Sequence, residues 1–229
     1  MADIPVASRR RHDLLLIASD AWRSALDRSP AMAELPFVRG WVERGWPVIL
    51  RRHAEAEDND LVAVGLPLPP GAGRHRVGLL LPSEAILRVR RPPSLRAAAW
   101  VVDPGRRPTV PALLQFGERY GVEPAVVGSL LWHHVTGLPY LTPASDLDLL
   151  WPVRRLGDIH PLLRGIARLQ RDTPFRIDGE VILPDGVAGN WRELWNADTA
   201  SGDIDVLGKS LAGVRLVLRA SLSPVGSDA

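Results

Sequence analysis

Hydrophobic and polar positions alternate or run together in short blocks along the first 90 residues, and Gly and Pro bound most of those blocks. GWPVILRRH, NDLVAVGLPLPP and GRHRVGLLLP each place Val, Leu and Ile in a period-2 or continuous run between such breaks, so each predicts a strand. The earlier segment AWRSALDRSP predicts a helix. A proline-rich break, RRPPSLR at 90–96, marks the expected domain boundary, and VDPGRRPTVP at 102–111 reads as a second loop.

Beyond it the rhythm alternates between periods. TVPALLQFGERYG opens on a proline and stops at Gly121, which predicts a helix. EPAVV predicts a strand, GSLLWHHVTG a helix, LPYLTPAS a loop and DLDLLWPV a strand. The amphipathic run GDIHPLLRGIARLQRD predicts another helix, followed by the strand FRIDGEVILP and the turn PDG. The expected fold is α+β: a small N-terminal α/β domain over 1–90, then a domain over 91–229 with a mixed sheet flanked by helices.

One strand breaks its own pattern. Asp146 and Asp148 interrupt an apolar run, and as alternate residues of a strand they share a face roughly 7 Å apart. Such a pair repels unless a cation lies between. Upstream, Gly128 lets backbone approach a ligand closely, and Ser129 opens a helix whose free N–H groups face an anion. Together they read as a phosphate seat beside two hard oxygen ligands of the kind Mg²⁺ prefers.

Composition narrows the rest. The 229 residues contain no cysteine, which excludes disulfides, thiol catalysis and cysteine-ligated metals. No apolar run is long enough to cross a membrane, and MADIPVASRRRHD carries no apolar leader, so a cytoplasmic protein is expected. Residues 1–120 carry net charge +5 and residues 121–229 carry −3, an imbalance that suits a polyphosphate or acidic partner more than nucleic acid. Of 28 basic residues, Lys209 is the only lysine, a point charge suited to phosphate. Adjacent His133 and His134 lack zinc spacing, Trp191 and Trp195 lie one helical turn apart where an adenine could sit, and Arg51-Arg52 and Arg74-x-Arg76 read as solvated faces.

The order VGS (127–129), helix, DLDLL (146–150) resembles the nucleotidyltransferase superfamily, with a longer spacer of sixteen residues between Ser129 and Asp146. The stretches RHDLL, WPVILRR, VGLPLPP, GSLLWHHVTGLPYLTPASDLDLL, DGEVILP with WRELW, and VLGKS resemble the malonate decarboxylase holo-acyl-carrier-protein synthase family, the phosphoribosyl-dephospho-CoA transferases. The resemblance implies attachment of a prosthetic group from 2'-(5''-triphosphoribosyl)-3'-dephospho-CoA to a serine of the acyl-carrier subunit of malonate decarboxylase, with release of pyrophosphate. It implies that Asp146 and Asp148 hold Mg²⁺, or Mn²⁺ in its place, with a third carboxylate on a later strand. Asp178 and Glu180 both qualify, and Asp178 is preferred as the nearer to its strand's centre. Gly128 and Ser129 would seat the pyrophosphate, Lys209 would offset its charge, and Arg51 and Arg52 would reach the CoA part or the carrier. The alternative is a nucleotidyltransferase using an ordinary nucleoside triphosphate on another acceptor; a non-catalytic nucleotide-binding module has no need of the aspartate pair.

Overall fold

The computed structural model describes residues 9–55, 57–58, 60–199 and 205–217. The N-terminal residues in which a leader would lie, and the last residues of the run GVRLVLRA, fall outside them. The chain divides into two compact units, one of residues 1–92 with 135–140 and one of residues 93–134 with 141–229.

In the first unit, β1 (Leu14–Ile17), β2 (Val48–Leu50), β3 (Val62–Pro67), β4 (Arg76–Leu81) and β5 (Ile86–Arg90) form a sheet of order β4-β3-β2-β1-β5. Every pairing is antiparallel. Strand β4 shows the period-2 logic, with Val77, Leu79 and Leu81 buried and Arg76 and Gly78 exposed. Helices α1 (Ser19–Asp27) and α2 (Pro30–Ala33) follow β1. Trp22 and Trp41 are buried, and each indole N–H donates to a carbonyl, of Val38 and Pro47 respectively, so neither aromatic body carries an unpaired polar edge. The segment 135–140 is tied to this unit by the Tyr140 hydroxyl, which donates to the Pro67 carbonyl at 2.7 Å.

The second unit starts with α3 (Leu95–Ala98), capped by Ser94, and α4 (Val110–Arg119). Gly121, at φ +62, follows the end of α4, as its sequence position foretold. Then come β6 (Ala125–Val126), α5 (Gly128–Thr136), β7 (Leu147–Pro152), α6 (Ile159–Arg171) and β8 (Ile177–Ile182). The last elements among the described residues are β9 (Ala188–Asn190), α7 (Trp191–Thr199), β10 (Val206–Lys209) and β11 (Val214–Val217). The sheet order is β11-β10-β9-β8-β7-β6, with β7 and β8 parallel and the other neighbours antiparallel, so the expected mixed sheet and α+β class are present. A parallel pair needs a crossover, and α6 supplies it. Its buried Ile159, Leu162, Leu163 and Ile166 fall at i, i+3, i+4 and i+7, one helical stripe. No helix among the described residues is long and apolar enough to cross a membrane.

Candidate functional site

Register decides what the carboxylates meet. In the parallel pair, Leu147 lies opposite Ile177, Asp148 opposite Asp178, and Leu150 opposite Glu180. Leu147, Leu149, Ile177 and Val181 are buried on one face of the sheet, which leaves Asp148, Asp178 and Glu180 on the other. Asp146 lies one residue before the hydrogen-bonded strand, where the Leu147 N–H donates to the Arg176 carbonyl at 2.9 Å. Sequence periodicity placed Asp146 within the strand; the ladder starts one residue later.

Gly128 sits directly against this face. Its φ is +60, and a Cβ built there would lie 2.0 Å from Asp148 Oδ2, so both the backbone conformation and the aspartate demand glycine. Asp148 and the Gly128-Ser129 helix start are therefore one local structure, and the Val127 N–H donating to the Asp148 carbonyl at 3.1 Å fixes their register.

The carboxylate cluster has a cation from the chain itself. Arg176 Nη2 is 2.8 Å from Asp178 Oδ2, and Arg176 Nε is 3.6 Å from Asp146 Oδ2. The other Asp178 oxygen accepts from its own Gly179 N–H at 2.8 Å and from Asn190 Nδ2 at 3.0 Å. Asp148 pays for its position: burial first, then Asp178 and Asp146, push its carboxyl up to about 6, with Arg176 opposing. Among the described residues no three His, Asp or Glu side chains are gathered as a ready-made metal cage. The donor set of Asp146, Asp148 and Asp178 is nevertheless all hard oxygen, with Asp148 opposite Asp178 and one guanidinium reaching both Asp178 and Asp146, so the residues fit a magnesium ion.

Glu180 lies two residues further along β8 and within 3.9 Å of Lys209 Nζ. The strand thus brings Asp178, not Glu180, opposite Asp148. Asp178-Gly179 also reads as a turn in sequence, yet it is mid-strand: Gly179 adopts φ +122, and a Cβ there would meet the Leu149 carbonyl oxygen at 1.8 Å.

Two residues without a motif shape the approach. Arg106, 5% exposed, donates from Nη1 to Asp103 at 2.7 Å and from Nη2 to the carbonyls of Thr142, Pro143 and Ser145, pinning the turn that delivers Asp146. Its guanidinium lies 5.5 Å from the Phe175 ring centre. Arg106, Leu141, Thr142, Pro143, Pro174 and Phe175 border a cleft of about 390 Å³. It adjoins the two segments that lead into the aspartate-bearing strands.

Other residues singled out in the sequence have local partners or exposed positions. Arg51 donates to both oxygens of Glu57, at 2.7 and 2.6 Å, and to the Val64 carbonyl, which commits it to its own sheet instead of to a ligand or to solvent. Arg52, Arg74 and Arg76 are exposed. Trp191 is buried and donates to the Ile177 carbonyl, which makes it a packing anchor beside β8 instead of an adenine wall. His134 packs edgewise on Trp100, and burial lowers its pKa.

Models of the two halves of one family match this chain: the phosphoribosyl-dephospho-CoA transferase MdcG N-terminal domain over residues 10–92 and the C-terminal domain over 94–220. The chain belongs to this family. A relative named phosphoribosyl-dephospho-CoA transferase from Bradyrhizobium diazoefficiens is 38% identical over 209 residues, covering 91% of this chain and 90% of its own. One of the same name from Xanthomonas euvesicatoria is 34% identical over 220 residues, covering 96% and 99%. No solved structure is found to match. Family membership makes the protein an enzyme, a transferase, and the MdcG C-terminal match spans every residue of the carboxylate face.

Proposed function

We propose that this protein transfers the phosphoribosyl-dephospho-CoA group from 2'-(5''-triphosphoribosyl)-3'-dephospho-CoA to a serine hydroxyl of the malonate decarboxylase acyl-carrier subunit, in the cytoplasm. The observation that carries it is the face on which Asp148 meets Asp178, Asp146 and Gly128 in a chain whose relatives bear that transferase name. Asp146, Asp148 and Asp178 would hold magnesium, with manganese as a substitute; bound there, the ion supplies neutralisation of the charge that develops on the transferring phosphoryl group.

The chain's own residues do the rest. An oxygen of Asp178 takes the proton of the carrier serine as its Oγ forms a bond to the ribose-proximal phosphorus, and the bond from that phosphorus to the pyrophosphate oxygen breaks. Gly128 and Ser129 seat the leaving pyrophosphate at the start of α5, where backbone N–H groups lack helical partners. Lys209 offsets charge further along the sheet, and the cleft beside Phe175 takes an apolar part of the donor.

The test is the intact mass of purified apo carrier subunit after incubation with this protein, Mg²⁺ and the donor. A gain equal to the donor minus pyrophosphate is expected. An unmodified carrier with intact donor, together with a nucleotide adduct on another acceptor from ATP, would replace this reading with that of a general nucleotidyltransferase.

A further inference from the structure

Arg176 occupies the place a cation would take. Of the two Asp178 oxygens, one is held by Gly179 and Asn190, so the carboxylate cannot turn away, and the remaining one is the atom the guanidinium contacts. The Asp146 oxygen nearest Arg176 is likewise a potential metal ligand. The Arg176 backbone is anchored, since its carbonyl accepts the Leu147 N–H, whereas its side chain is 54% exposed. Compare Arg51, whose two terminal nitrogens close on one carboxylate with only 28% of the side chain exposed.

We propose that Arg176 is an exchangeable counter-ion. It neutralises Asp146 and Asp178 until a divalent cation claims their oxygens, and the released guanidinium then pairs with a polyphosphate oxygen of the donor. Planar, multidentate pairing to either carboxylate or phosphate suits arginine, so one side chain serves both partners. The exchange would couple cation arrival to donor capture, because each removes a penalty the other would otherwise meet. This rests on the metal-assisted reading of the carboxylate face given above.

The test separates the two. Full-length wild type, Arg176→Gln, Arg176→Lys and Asp148→Asn are titrated with Mn²⁺ without donor, and free Mn²⁺ is followed by electron paramagnetic resonance. Arg176→Gln should bind Mn²⁺ about fivefold or more tightly than wild type, because the internal competitor is gone. Arg176→Lys should stay near wild type, and Asp148→Asn should bind far more weakly. With Mg²⁺ saturating, inorganic tripolyphosphate should bind Arg176→Gln about tenfold more weakly than wild type. Equal or weaker Mn²⁺ binding by a folded Arg176→Gln, or unchanged tripolyphosphate affinity, overturns the exchange while a loss in Asp148→Asn leaves the metal site standing. No Mn²⁺ binding by wild type or any variant overturns the metal reading and the exchange together.

Discussion

Arg51 and Arg176 both face carboxylates on a sheet, and the contrast between them separates architecture from chemistry. Arg51 meets one carboxylate through two short bonds, and that bond, against a smaller burial penalty, holds Glu57 down to about 2. Arg176 is shared between Asp146 and Asp178 while a third carboxyl, Asp148, is pushed up to about 6. Charge in the first set is closed and adds stability; in the second one guanidinium serves two carboxylates beside a third that is largely buried, which costs stability.

The largest effect should come from dividing the two candidate third carboxylates. Asp178→Asn should cut carrier loading by about 10³-fold or more, whereas Glu180→Gln should cost less than about tenfold, measured as initial rates of mass gain. The reverse ranking would move the third ligand to the Lys209 end of the face. Gly128→Ala should come next. It drives a methyl into Asp148 at a φ that disfavours side chains, and displacement of the carboxylate by even 1 Å should slow loading by about 10²-fold, with the fold checked by circular dichroism.

The smallest effects are opposite in sign and so the sharpest comparison. Glu57 is lowered on folding, so its stabilisation is present above about pH 4.5 and is lost as pH falls toward 2. Asp148 is raised on folding, so its neutral form suits the fold and stability drops as pH rises from about 4 to about 6. In chelator, Glu57→Gln should lose about 1 kcal/mol at pH 7 after solvent screening, and Asp148→Asn should gain about 1–3 kcal/mol there. Both differences should shrink toward zero in acid, which urea melts at pH 7 and pH 3.5 would read for Asp148.

Much of this was legible in the residues. The Gly-Ser step and the aspartate pair stand out because each violates its local rule, glycine at a helix start and charge in an apolar strand. The strand and helix blocks of both units follow the period of their apolar positions. What stayed hidden was pairing. Nothing in RRHDLLLIAS says that β1 sits between β2 and β5, because sheet order is long-range. Arg176 was one arginine among 27, and only its place two residues before Asp178 on the same face could have singled it out. Arg106 lay in a segment that read as a plain loop, and its value rests on carbonyls some 40 residues away. The sequence preferred Asp178 to Glu180 only by its place in the strand; that Asp178 lies opposite Asp148 is a matter of the β7–β8 register.

The most direct test of the open-charge account is the loading rate and melting temperature of Asp148→Asn, in Mg²⁺, beside Arg51→Ala. Asp148→Asn should lose loading by about 10³-fold or more while melting no lower than wild type in chelator, and Arg51→Ala should melt lower yet load its carrier at the wild-type rate. Full loading by Asp148→Asn would contradict the account.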